Sequence, residues 1–323
     1  MGEVMEGNVA PVQLAGFLVA LAGKGVTGAE LQGLADTMVA HARPLEVSKD
    51  AVDIVGTGGD LAQTVNISTM SAVVVAATGR RVVKHGNRAS SSRSGSADCL
   101  EALGIRLDLP VPAVQRIAGE VGITFLFAQV FHPSMRFAAE ARKGLGIPTV
   151  FNVLGPITNP GRPRAGAVGV ADRAMAPTVA SVFAERGTSA LVFRGQDGLD
   201  ELSIAAPSDV WEVRGGEIRE HVLDPGALLG MPRHDVDSLR GGDAEENAAV
   251  AREVFAGQGR ASVRDAVLLN AAAGILAHDA IGSAPDDRFE DRFVAAAQEA
   301  RGILEAGAAT QLVDRWIAAS RDV

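Results

Sequence analysis

The chain has 323 residues, 47% of them hydrophobic, with 39 acidic against 30 basic side chains and a formal net charge of -9. That much apolar material excludes a disordered chain, and the length suits one large domain or a large domain with a smaller one. The acidic balance excludes a general DNA or RNA partner, which needs a positive surface, but not a small phosphorylated ligand held in a locally basic site.

The N-terminus carries Glu3 and Glu6 and no basic patch ahead of an apolar run, so no signal peptide is expected. Residues 8–43 read as two helices separated by residues 23–28. Val12, Leu14, Phe17, Leu18 and Leu21 keep helical spacing, and so do Leu31, Leu34, Met38 and Val39. Thr27 and Glu30 form a capping box for the second helix, and Pro44 ends it. From residue 52 the pattern becomes strand, Gly-rich turn and helix in repetition, the mark of a parallel α/β sheet. Strands are expected at 52–55, 81–84, 124–127, 149–153, 165–170, 189–193 and 210–213. Helices are expected at 67–78, 97–103, 135–145, 175–185, 245–256, 263–278 and 289–318. The single cysteine, Cys99, falls in one of these helices. It reads as a small buried hydrophobe, and a chain with one cysteine suits a reducing compartment. Apolar runs such as 71–78 are far shorter than the ~20 residues needed to span a bilayer, so no membrane partner is expected and a cytoplasmic location is.

Four segments carry chemistry. Gly56-Thr57-Gly58-Gly59-Asp60 follows a strand, so backbone N–H groups can approach an oxyanion there, with the next helix N-terminus aimed at the same point. Alone, such a turn is equally a tight strand-to-helix connection. Asn66-Ile67-Ser68-Thr69 adds small polar groups at the helix start. Residues 84–96 hold three basic side chains, five serines and no acid, again at the C-terminal end of a strand, where open α/β sheets bind ligands. Asp200-Glu201 is an acidic turn that can share a hard cation if a polyphosphate lies nearby. His132-Pro133-Ser134-Met135 precedes Arg142; His132 suits a helix cap and Arg142 a surface charge. Residues 152–160 read as a strand end and turn of architectural role.

Together these strings resemble the anthranilate phosphoribosyltransferases. The matching stretches are 56–60, 64–69, 84–104, 125–128, 132–135, 151–160, 198–201 and 239–248, in order and over nearly the whole chain. The resemblance implies a small N-terminal helical domain, 1–44, packed on a large α/β domain, 45–323, with a mostly parallel central sheet. The segment near 130–150 is expected to return to the small domain. The family is usually a homodimer. It implies phosphoribosyl pyrophosphate (PRPP) and anthranilate as substrates, with two magnesium ions, in the second step of tryptophan biosynthesis from chorismate. By motif, Gly56, Gly59, Asp60, Thr64, Asn66, Ile67, Ser68, Thr69, Lys84, His85, Gly86, Asn87, Arg88, Ala89, Ser90, Ser91, Ser92 and Ser96 are implied to contact PRPP. Gly56, Asn87 and Arg142 are implied for anthranilate, with Arg142 facing its carboxylate, and Ser68, Asp200 and Glu201 for magnesium.

Three departures from the family pattern stand out. The chain is expected to start near the family's second helix, Gln129 replaces a proline, and Leu61 replaces a glycine or small polar residue. The implied chemistry is displacement of pyrophosphate from the anomeric carbon by a neutral aryl amine. It requires no base; His85 is a candidate acceptor of the released proton, and equally a residue with only a structural hydrogen bond. Closure of a hinge is expected to bring Arg142 to the phosphate loops. Two rivals are a pyrimidine nucleoside phosphorylase, which shares the fold and a KHGN-like loop, and a non-catalytic nucleic-acid-binding paralogue, which the charge disfavours.

Overall fold

The computed structural model describes residues 1–89, 93–286 and 288–322. Serines 90, 91 and 92, implied above as PRPP contacts, lie outside the described residues. The chain opens with helices α1 (Gly2–Glu6), α2 (Pro11–Lys24) and α3 (Gly28–Ala40). A five-residue helix thus precedes the one with which the chain was expected to start. The predicted cap of α3 forms: Thr27 Oγ1 accepts from the Glu30 N–H, and the Glu30 carboxylate accepts from the Thr27 N–H.

Strand β1 (Val52–Gly56) leads through the Gly-rich turn to α4 (Ile67–Ala77), and β2 (Val82–Gly86) through the second loop to α5 (Ser96–Leu103). Then come α6 (Val111–Val121), β3 (Ile123–Phe127), α7 (Ala128–Phe131), α8 (Arg136–Leu145) and α9 (Phe151–Leu154). Next are β4 (Ala165–Gly169), α10 (Ala176–Glu185), β5 (Ser189–Gly195), β6 (Ser208–Arg214) and β7 (Glu217–Leu223). The chain ends in α11 (Pro225–Leu229), α12 (Ala244–Phe255), α13 (Ala261–Asp279), α14 (Phe289–Glu305) and α15 (Ala308–Arg321).

The sheet order is β3-β2-β1-β4-β5-β6-β7. The first five strands are parallel, and β6 and β7 add antiparallel to β5. Order reverses at β1, whose neighbours are β2 and β4, so a crevice opens beyond its C-terminal end. Period-two alternation splits the strands between two cores. Val52, Ile54, Ala167, Leu191 and Phe193 face α4, α13 and the C-terminal helices. Val168, Val170, Ala190, Val192 and Trp211 face α10 and the N-terminal helices. Helix α13 is buried along most of its length, and a Cβ on its Gly274 would stand 2.8 Å from Ile54 and 2.9 Å from Val75. That glycine lets α13 seat against both β1 and α4.

Several expectations are corrected. Residues 149–153 are no strand: the Asn152 side chain accepts from the Thr149 N–H, a local bond that turns the chain into α9 instead of a ladder. The helix over 289–318 is two, broken where Gly307 takes φ +66°. His132 takes the C-cap position of α7 through its backbone N–H to the Ala128 carbonyl, as expected, but its side chain caps nothing: its Nε2 meets the Thr158 carbonyl at 2.9 Å, and its ring is buried. Helices α6, α7 and α11 and strand β7 were not anticipated. Strand β7 is the exposed sheet edge, and its charged residues hide the alternation that marks buried strands. Cys99 is buried as expected, which pushes its thiol up to about 12.

Candidate active site

Two cavities meet at the C-terminal ends of β1 and β2. The first, of about 340 Å³, is walled by residues 55–61 and 63–68, residues 84–89, residues 94–96, and Asp200 with Glu201. The second, of about 800 Å³, runs from the same turn toward α8 and α9. They share Val55 to Gly59 and His85 to Asn87 as a common wall. Of the residues singled out by sequence, only Thr69 among those described lines neither cavity. It is 1% exposed on α4, and its hydroxyl has no partner among the described residues.

The acidic turn reaches the crevice because glycines let it. A Cβ on Gly56 would overlap the Asp200 carboxylate, and one on its strand partner Gly169 would overlap the Asp200 carbonyl. The Asp200 carboxylate then accepts from the Gly58 N–H at 2.6 Å. Burial, and next the charge of Asp60, raise the Asp200 carboxyl. Burial and then Asp200 raise that of Glu201 well above the usual carboxylate range, against the opposing charge of Lys84. This is a cluster of anions short of a cation.

The basic residues of the second loop are less free than the sequence implied. Lys84 is 1% exposed, and its ammonium donates to the Ile54 carbonyl and, at 3.3 Å, to Ser68 Oγ. Its charge faces Asp53 and Glu201. Asp53 takes the His85 N–H at 3.1 Å and the Asn159 amide at 2.8 Å, and burial raises it to about 6. Arg88 turns to Asp98 and Glu101, at 2.8 and 2.5 Å. Asp98 also accepts the N–H groups of Ala89 and Gly95 at 3.0 and 2.9 Å, which closes the loop. Arg93 lies 3.8 Å from Glu246. Acids outside the loop therefore engage its arginines, and the cavity is left with backbone N–H groups, small hydroxyls and Lys84.

The larger cavity has the opposite character. Arg142 lies over the Phe151 ring at 5.2 Å and Arg136 over Phe137 at 4.6 Å, and neither has an acidic partner among the described residues. Met135, Ala139 and Arg142 line this cavity, spaced i, i+4 and i+7 on one face of α8 and the turn before it. The adjoining face of α8 buries Ala138 and Ala141 among residues of α1 and α2. Gln129, Phe151, Asn152 and Pro156 complete the walls. His85 and His132 stand 5.2 Å apart, ring to ring. His85 Nδ1 bonds the Gly155 carbonyl, so its buried Nε2 carries a lone pair without a partner. Burial, then His132, pushes His85 down to about 3.

Sequence reasoning named Arg142 but gave no substrate role to Thr57, Arg136, Phe151, Asp53 or Asn159. The helical spacing from Met135 could have found the α8 face; nothing local marks Asp53 or Asn159. Of the departures, Leu61 is 79% exposed at the cavity mouth with φ +62°, a strained position for a branched side chain where glycine would sit without cost.

The helical bundle and the α/β sheet with its cleft at the switch point both fall in a glycosyl transferase family. The family model for the glycosyl transferase family helical bundle domain matches residues 1–42, and that for the a/b domain matches residues 48–310. Within that family, an anthranilate phosphoribosyltransferase of Arthrobacter sp. (strain FB24) is 56% identical over 99% of this chain and 90% of its own length. One of Nocardioides sp. (strain ATCC BAA-499 / JS614) is 55% identical over 99% and 92%. The crystal structure of the Thermus thermophilus anthranilate phosphoribosyltransferase superposes with a TM-score of 0.91 at 42% identity, over 99% of this chain and 93% of that one. The Saccharomyces cerevisiae enzyme in complex with PRPP and Mg gives 0.85 at 27% identity, over 97% and 86%. The chain belongs to the anthranilate phosphoribosyltransferase family.

Proposed function

We propose that this chain transfers the phosphoribosyl group of PRPP to the amine of anthranilate, giving N-(5-phosphoribosyl)anthranilate and pyrophosphate, in tryptophan biosynthesis. The observation that carries the reading is the shared wall: a donor cavity lined by N–H groups and carboxylates and an acceptor cavity with two unpaired arginines meet at residues 55–59 and 85–87. Two substrates of unlike polarity can lie there with reacting atoms in contact.

The carboxylates of Asp200 and Glu201, with Ser68 Oγ, suit a hard divalent cation: bringing in positive charge relieves the repulsion that raises both acids. Among the described residues no group of three His, Cys, Asp or Glu side chains forms a closed metal cage. Phosphate oxygens would therefore complete the coordination, and we expect magnesium to arrive with PRPP. When bound, the metal supplies positive charge to the departing pyrophosphate. Backbone N–H groups of Gly59 and Asp60 and the α4 N-terminus would meet the same oxygens. Arg142 takes the anthranilate carboxylate while Phe151 and Met135 border its ring. The C1–O bond to pyrophosphate breaks as the C1–N bond forms. The aryl ammonium so produced is strongly acidic, so even a weak acceptor such as neutral His85 Nε2 suffices for its proton.

The division near residue 44 and a homodimer belong to the same proposal. Val12 and Val19, one face of α2, are 77% and 47% exposed, which supports pairing with a second copy. Among the described residues no helix is long and apolar enough to cross a membrane. The test is loss of anthranilate fluorescence with PRPP and magnesium. Phosphate-dependent nucleoside cleavage in place of that loss would establish the nucleoside phosphorylase reading. For the metal, Asp200→Asn with Glu201→Gln should abolish magnesium-dependent turnover, and retained wild-type activity would exclude the site.

A further inference from the structure

The segment 239–248, Leu-Arg-Gly-Gly-Asp-Ala-Glu-Glu-Asn-Ala, lines neither cavity yet grips the donor loop. Arg240 bridges Thr64, the Val65 N–H donates to the Leu239 carbonyl at 2.9 Å, and the Gly241 N–H donates to the Gln63 carbonyl at 2.9 Å. A Cβ on Gly241 would stand 2.8 Å from Asn247 Oδ1 and 3.0 Å from the Thr64 carbonyl, so only glycine permits this approach.

Asn247, 3% exposed on α12, joins the grip to the cavity. Its Oδ1 accepts from the Gly242 N–H at 2.8 Å. Its Nδ2 donates to Asn66 Oδ1 at 2.9 Å. Asn66 Nδ2 in turn donates to the Ser94 carbonyl at 3.1 Å. The polarity of this chain is unambiguous, because it starts at a backbone N–H, which can only donate, and ends at a backbone carbonyl, which can only accept. Neither amide can flip without setting two lone pairs or two N–H groups against each other. Asn66 lines the donor cavity, and one N–H of its amide is left over from this relay.

We infer that Asn247 is a positioning residue for the phosphoribosyl donor: through a one-way amide relay it fixes the Asn66 N–H toward the donor's oxygens and ties the two phosphate loops together. The inference rests on the donor cavity taking PRPP, as proposed above. It assigns a role to a motif that lines neither cavity, and it predicts an effect confined to one substrate.

Asn247→Asp tests it with almost no change of shape. The introduced carboxylate still accepts from Gly242 but repels Asn66 Oδ1. The KM for PRPP should rise by about tenfold or more, the cost of losing a hydrogen bond to a charged ligand, with kcat and the KM for anthranilate at saturating PRPP nearly unchanged. Protonating the introduced group restores a donor, so the ratio of variant to wild-type KM for PRPP should fall from about pH 8 to about pH 5.5. Asp243, Glu246, Arg93 and Arg240 nearby are common to both proteins and cancel in the ratio. A merely structural asparagine would lower the active fraction and leave both KM values alone. A folded variant with wild-type KM for PRPP, or a pH-independent ratio, overturns the relay. If Asn247→Asp does not fold, Asn247→Ala read by the same split decides. If the wild type consumes no anthranilate, the proposed function falls, and calorimetric binding of magnesium pyrophosphate to wild type and variant reads the relay instead. Equal binding, or none to either, overturns it.

Discussion

Replacing Lys84 by methionine removes the buried cation of the donor cavity. The ammonium is 1% exposed and faces Asp53 and Glu201. Removing it leaves two interior carboxylates without a cation and the Ile54 carbonyl without its side-chain donor. Leaving buried acids without their compensating cation in this way costs about 3–5 kcal/mol. The cost must depend on pH, and its sign follows from Asp53. In the wild type that carboxyl sits at about 6, against about 3.9 in an unfolded chain. The folded state holds the extra proton, so its contribution to stability declines as pH rises from about 4 to 6 and is level above. Without Lys84 the folded value climbs further and the decline continues above pH 6 at up to about 1.4 kcal/mol per pH unit. Two pH units account for about 2.7 kcal/mol. The variant should be destabilised by about 3–5 kcal/mol at pH 8 but only by about 1–2 kcal/mol at pH 6, the remainder being lost hydrogen bonds. Urea melts of both proteins at the two pH values measure this. Equal destabilisation at pH 6 and pH 8 would show that Lys84 does not compensate these acids.

Other outcomes follow from the same geometry. Arg142→Ala should raise the KM for anthranilate at least about tenfold, since a charged hydrogen bond is lost; an unchanged KM in steady-state kinetics would remove Arg142 from the acceptor site. Arg80 bonds both Asp279 and Glu299, at 2.7 and 2.6 Å, and joins the end of α4 to α13 and α14. Arg80→Ala should cost about 1 kcal/mol, less in high salt, because the acids are half exposed. Arg80 holds the Asp279 carboxyl down at about 2, so this contribution is present above about pH 4 and is lost as pH falls toward 2; melts at pH 7 and pH 3 read it. Cys99, buried and pushed up to about 12, should resist a thiol reagent at pH 8 until the protein is unfolded, and rapid labelling of the native chain would contradict its burial.

The parallel strands and the turns at 56–60 and 84–89 were legible in the sequence because their causes are local. A β-branched run, a glycine needed for close approach and a helix start all lie within a dozen residues. The same reading misplaced 149–153, where β-propensity suggested a strand and one side-chain bond from Asn152 made a turn. It also overstated the positive charge of residues 84–96. Asp98 is two residues past that loop, but only the fold brings Glu101 and Asp98 onto Arg88, and Glu246 near Arg93.

By itself, then, the sequence determined which backbone segments would approach phosphate and which acids could hold a cation, since both depend on residue type and short spacing. The tertiary structure decided which charges remain available. Lys84 is occupied by the Ile54 carbonyl, 30 positions away in sequence and adjacent only because β1 and β2 are neighbours. Arg142 is left unpaired because α8 turns its small residues to α1 and α2 and its arginine to the cavity. Coulomb energies fall with distance in space, not along the chain, so no local pattern could assign those partners.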